Sequence, residues 1–105
     1  MVIIETPIFT KLIIDLMSDD EYKNLQEALV TRPDRGVLIK NSGGLRKIRW
    51  ALERRGKSGG VRIIYYWMSN NEQLYMLYAF PKNAQTNLTD VQTKKLKQII
   101  ARWSQ

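Results

Sequence analysis

Hydrophobic and polar positions change their period along the chain, and the changes mark out its elements. Val2–Glu5 reads as a short strand, and Thr6-Pro7 then opens a helix. Threonine is a good N-cap, and proline fits the first turn because the N–H it lacks has no partner there. Phe9, Leu12, Ile13 and Leu16 follow at helical spacing. Ser18-Asp19-Asp20-Glu21 is a capping box for a second helix, with Tyr22, Leu25 and Leu29 as its buried stripe and Pro33 beyond its end. Gly36 to Gly44 reads as a loop with a brief extended stretch at Val37–Lys40. The period then falls to two. Leu45–Glu53 is predicted as a strand with Ile48, Trp50 and Leu52 on one side, and Val61–Ser69 and Gln73–Phe80 as two more. The glycine-rich stretch 56–60 and Asn70-Asn71 supply the turns between them. Thr89-Asp90-Val91-Gln92 repeats the capping-box pattern and opens a C-terminal helix that packs through Ile99, Ile100 and Trp103.

The order β-α-α-β-β-β-α predicts an α+β fold, a small antiparallel sheet with two N-terminal helices and a C-terminal helix. No linker, repeat or low-complexity segment interrupts residues 1–105, so one domain is expected. Short connections favour the first strand antiparallel beside the second. The helices are expected to cover one face and leave the other partly open.

Composition narrows the chemistry. The chain has no cysteine and no histidine, which removes disulfides, thiolates, His-based triads and His- or Cys-ligated metals. Asp19, Asp20 and Glu21 are accounted for by capping and the helix dipole, so neither a metal nor another cofactor is expected. Gly-Lys-Ser within 56–60 lacks the upstream glycine of a phosphate loop and joins two strands, so it is not one. No apolar run is long enough for a membrane span, and Met-Val-Ile-Ile-Glu at the start lacks the features of a secretory signal; a cytoplasmic protein is the expectation. The net charge of +7 is concentrated. Between residues 46 and 62, Arg46, Lys47, Arg49, Arg54, Arg55, Lys57 and Arg62 stand against Glu53 alone, a pattern that suits either a polyanionic partner or a solvated basic face.

Strand alternation sorts these cations. With Ile48, Trp50 and Leu52 inward, Lys47 and Arg49 face the other way. In the next strand the set containing Arg62 is expected to face solvent, because an unpaired buried arginine is costly. Lys47, Arg49 and Arg62 then converge, with Tyr66 beside them and Lys82 closing the group. Such a cluster suits RNA cleavage by 2′-hydroxyl attack: arginines grip the charged phosphorane, a lysine among cations serves as base, and an aromatic ring stacks on a base. Simple binding of nucleic acid or protein is the competing use of the same residues.

The motifs 43–49 (Gly-Gly-Leu-Arg-Lys-Ile-Arg), 56–66 (Gly-Lys-Ser-Gly-Gly-Val-Arg-Ile-Ile-Tyr-Tyr) and 81–83 (Pro-Lys-Asn) together resemble those of RelE/HigB-type toxins, and the HigB branch in particular. The resemblance runs along essentially the whole chain. It implies a toxin of a type II toxin–antitoxin pair that cuts mRNA on the ribosome and so inhibits translation. It also implies an antitoxin, a helix-turn-helix protein encoded nearby, that holds it inactive. By motif, Lys47, Arg49, Arg62 and Lys82 match the family's catalytic cations, with Arg62 as phosphate clamp and Lys47 or Lys82 as base. Arg46, Arg54, Arg55, Lys57, Tyr66 and Asn83 are expected to touch RNA, with Arg54, Arg55 and Lys57 on ribosomal RNA phosphates. Two departures leave acid and base unassigned. Asn83 stands where related toxins often carry arginine, and Thr89, flanked by Leu88 and Asp90, where they often carry tyrosine. The same superfamily includes gyrase poisons that cut no RNA, and an inactive relative that only binds its antitoxin is a further alternative.

Overall fold

Both N-terminal helices start where their caps require in a computed structural model that describes residues 1–52 and 60–103. Strand β1 (Val2–Glu5) leads into α1 (Pro7–Leu16), where the Thr6 hydroxyl accepts from the Phe9 N–H. Helix α2 (Asp19–Thr31) carries both halves of its capping box: the Glu21 N–H donates to Ser18 Oγ and the Ser18 N–H to Glu21 Oε1. The acidic run is thus absorbed by the helix start. Strands β2 (Val37–Leu38), β3 (Leu45–Trp50), β4 (Val61–Met68) and β5 (Gln73–Pro81) follow, then α3 (Asp90–Trp103). The Asn70-Asn71 turn is a short 3-10 segment closed by Glu72 at φ 50°. Thr89 and Gln92 form the last capping box reciprocally.

The sheet has the order β1-β5-β4-β3-β2. Strands β2 to β5 form an antiparallel meander, as expected for β3 to β5. The first strand departs from expectation: it pairs parallel with β5, Val2 opposite Gln73 and Glu5 opposite Met76. The edge of β3 predicted for it is occupied by β2, so β1 takes the free edge of β5. A second departure concerns β3, which ends at Trp50; Leu52 is buried without continuing the strand, and Glu53 lies outside the described residues.

The helices do not share one face. Phe9 and Ile13 of α1 and Leu25 and Leu29 of α2 pack with Ile48, Ile63, Tyr65 and Met76 on one side of the sheet. Leu96 and Ile100 of α3 pack on the opposite side with Leu45, Ile64, Tyr75 and Leu77. Alternation leaves β3 to β5 with apolar residues on both faces, and each face needs its own cover. Ile99 and Trp103 lie at the margin of this second core, where Leu96 takes the place expected of them.

A register shift between Ile64 and Tyr65 inserts one extra residue in β5, around Leu77. The carbonyl of Leu77 accepts from the Thr6 hydroxyl, so the bulge is tied to the start of α1. Beyond the bulge the parity of β5 changes, sending Ala79 to the first core and Phe80 to the second, opposite Arg62. Bulge and cap together therefore fix where the end of β5 delivers its side chains.

Candidate active site

The part of the second face beyond Ile64 carries charge. In the β3–β4 register Lys47 lies opposite Ile64 and Arg49 opposite Arg62. The parity expected for both strands is correct: Ile48, Trp50, Val61, Ile63 and Tyr65 belong to the first core and Ile64 to the second.

The exposure expected for Arg62 is not. Its residue is only 5% exposed, and among the described residues its Nε has no hydrogen-bond partner. Flanked by β3 and β5 in the middle of the sheet, Arg62 has Arg49 on one side and Phe80 on the other. The rule that an unpaired arginine avoids burial chose the correct face but missed this enclosure. Burial lowers the Arg62 pKa from its usual value, and the charge of Arg49 adds to that effect. Among the described residues none of Lys47, Arg49, Arg62 or Lys82 forms an ion pair with a carboxylate.

Arg49, Arg62 and Lys82 line a cleft of about 180 Å³ together with Trp50, Ala51 and Gly60. Lys82 is brought there by its own backbone, whose N–H donates to the Gly60 carbonyl at 3.0 Å. A Cβ on Gly60 would meet Trp50 O at 3.4 Å and Arg62 Nη1 at 3.8 Å, so this residue lies against the guanidinium as well as the strand end. Lys47 shares the face but not the cleft: its Nζ donates to Asn87 Oδ1 at 2.6 Å.

Other expected RNA contacts disperse. Arg46 points to the opposite face, and its Nη1 donates to the carbonyls of Asp34 (3.1 Å) and Gly36 (2.8 Å). It holds the α2–β2 connection alongside Tyr65, whose hydroxyl donates to the Pro33 carbonyl and accepts from the Gly36 N–H. Tyr66 lies opposite Leu45, two residues along β4 from Ile64, and stacks on Tyr75 with centroids 6.2 Å apart. It belongs to the margin of the α3 core. Asn83 is exposed in the turn after β5 and does not line the cleft. Arg54, Arg55 and Lys57 lie outside the described residues.

Sequence reasoning missed Trp50, Ala51, Gly60 and Asn87. Trp50 reads as core by alternation and does pack there, yet it also walls the cleft and carries the Arg35 guanidinium 5.4 Å from its ring centroid. Asn87 gives no local signal, because its role depends on a lysine 40 positions away.

A family model described as the RelE toxin of the RelE/RelB toxin–antitoxin system matches residues 8–105. The chain belongs to the RelE toxin family. It is accordingly a toxin of a toxin–antitoxin system, as its motifs suggested. The structure of E. coli toxin RelE, a mutant solved in the free state, matches with a TM-score of 0.57 at 12% identity. The match covers 80% of this chain and 85% of that chain. At that identity the likeness is one of fold, and it bears out the α+β architecture. No helix among the described residues is long and apolar enough to cross a membrane.

Proposed function

We propose that this RelE-family toxin is an endoribonuclease that cuts mRNA on the ribosome through 2′-hydroxyl attack, without a metal. The observation that carries the reading is the buried, unpartnered Arg62 Nε beside Arg49 at the wall of a cleft. Like charges facing each other across a strand pair destabilise a sheet, and a buried polar atom without a partner adds to the cost. A phosphate entering the cleft would offset both. Arg62 and Arg49 grip its non-bridging oxygens, and their hold strengthens as the phosphorane gains charge. The bond from the 2′ oxygen to phosphorus forms while the bond to the 5′ oxygen breaks, leaving a cyclic phosphate. Lys82 is placed to receive the 2′ proton, and the leaving 5′ oxygen takes one from solvent. Lys82 is preferred over Lys47 as base because it shares the cleft with both guanidiniums, whereas Lys47 is engaged by Asn87. Messenger RNA and ribosomal RNA are the partners of this activity, and a cognate antitoxin with an acidic segment over the basic face is its restraint.

Single-turnover cleavage on programmed ribosomes tests the proposal. Arg62→Ala should slow cutting by about a hundred- to a thousand-fold, the usual loss for one donor to a developing oxyanion. Arg62→Lys should restore little, since an ammonium cannot make the bidentate contact. Cleavage by Arg62→Ala within a few-fold of the parent would put the chemistry elsewhere. Intact mRNA with broken DNA in cells expressing the parent would favour a gyrase poison.

A further inference from the structure

A second basic groove lies on the same face of the sheet, between the β2–β3 loop and the first half of α3. It is a cleft of about 340 Å³ whose walls include Lys40, Lys94 and Lys97, with Thr93 and Asp90. Lys94 and Lys97 are one helical turn apart on α3, and Lys40 faces them from the loop. All three are exposed, and among the described residues none is in an ion pair.

The loop is built to hold this shape. Ser42 is 1% exposed; its hydroxyl donates to the Ile39 carbonyl at 2.6 Å and accepts from the Leu45 N–H at 3.0 Å. Asn41, Gly43 and Gly44 all have positive φ, 59°, 76° and 112°, a conformation that glycine tolerates and other residues rarely adopt. The stem of Lys97 lies over Gly43, where a Cβ would stand in ordinary contact, 3.5 Å from both its Cγ and Cε.

Strand β3 joins this groove to the cleft of Arg49 and Arg62. Its residues on this face run Leu45, Lys47, Arg49, at about 7 Å per pair of residues. Leu45 adjoins the loop, Arg49 lines the cleft, and Lys47 lies between them, tied to the segment that leads into α3. We infer that Lys40, Lys94 and Lys97 form a phosphate track for the RNA strand whose scissile phosphate occupies the Arg62 cleft, gripping its backbone several nucleotides from the cut. A line of ammonium groups at spaced positions suits a flexible polyanion, read by charge and not by sequence. The inference rests on the proposed nuclease site for the position of the strand, but it concerns binding alone.

The test is fluorescence anisotropy of the full-length protein with fully 2′-O-methylated RNA, which lacks the attacking hydroxyl. Oligonucleotides of about four and about twelve nucleotides separate the cleft from cleft plus track. The parent should bind the longer one about tenfold tighter at low salt. The triple variant Lys40→Gln, Lys94→Gln, Lys97→Gln should lose that advantage, keep its affinity for the short RNA, and show a log–log salt slope shallower by about 2. A charge-matched control, Lys11→Gln, Lys23→Gln, Lys95→Gln, should keep the advantage, because those lysines do not line the groove. An unchanged preference of the groove variant for the longer RNA would overturn the track. So would unchanged RNA binding with lost pelleting on vacant ribosomes or lost antitoxin binding, which would assign the groove to another partner. A length preference that survives Arg62→Ala but needs the three lysines would uphold the track even if the nuclease site lies elsewhere.

Discussion

The face of the sheet under α1 and α2 and the face under α3 are built from alternate residues of the same strands, yet only the first is finished as a core. On the first face Phe9, Leu25, Leu29, Ile63, Leu74 and Met76 are fully enclosed. Its fully buried Tyr65 hydroxyl is satisfied on both sides by the Pro33 carbonyl and the Gly36 N–H, and at its margin Trp67 Nε1 is buried with no partner among the described residues. Gly36 is required there, since a Cβ would come within 2.8 Å of the Tyr65 ring edge and hydroxyl. On the second face α3 covers Leu45, Ile64 and Leu77, but the next residue along β4 on that side is an arginine with an unpartnered nitrogen. One helix cannot cover as much sheet as two, and the uncovered remainder is where the cations gather. The contrast lies in what each face leaves unpaired among the described residues: at the margin of the first core it is a neutral indole N–H of Trp67, whereas on the second face it belongs to a charged guanidinium that lines an open cleft.

The comparison breaks first at the finished core. Phe9→Ala should cost about 3–5 kcal/mol, a large part of the roughly 5–15 kcal/mol available to a domain of this size. Urea unfolding measures it, and a loss below about 1 kcal/mol would mean that the first face is looser than its enclosure indicates. On the second face the sign should reverse. Arg62→Met keeps much of the side-chain volume and removes a buried charge facing Arg49, so it should stabilise the fold by about 0.5–2 kcal/mol while cleavage is lost. Destabilisation on the scale of a core truncation would show that packing of the Arg62 stem outweighs its charge. A comparably modest effect concerns the margin of the first core. Tyr22 donates its phenol to Glu5 Oε2, and Tyr22→Phe should cost about 1.5 kcal/mol at neutral pH.

The same phenol sets an alkaline limit. Burial, then the hydrogen bond to Glu5 and its charge, push the Tyr22 pKa well above the usual value, and burial raises that of Tyr65. The folded chain therefore holds these protons more tightly than the unfolded chain. Stability should be fully present below the ordinary tyrosine pKa of 10.0 and fall as pH rises beyond it. Melting curves across that range should show a gentler decline for Tyr22→Phe; an identical slope would remove Tyr22 from the effect.

Periodicity, proline and the capping boxes at Ser18 and Thr89 determined the three helices and the three long strands, because each signal acts between residues at most four apart. Alternation likewise determined that Lys47, Arg49 and Arg62 share a face, since parity survives any choice of neighbouring strand. Only the tertiary structure decided where β1 pairs, which face α3 covers and how deeply Arg62 is enclosed. Pairing of β1 depended on β2 already occupying the edge of β3, a competition between segments far apart in the chain. Arg46 and Lys47 are adjacent in sequence and equal in charge, yet one ties down a loop and the other meets Asn87 across the opposite face. Charge and parity are properties of a residue and its neighbours in the chain; burial and partnership depend on which distant segments pack beside it.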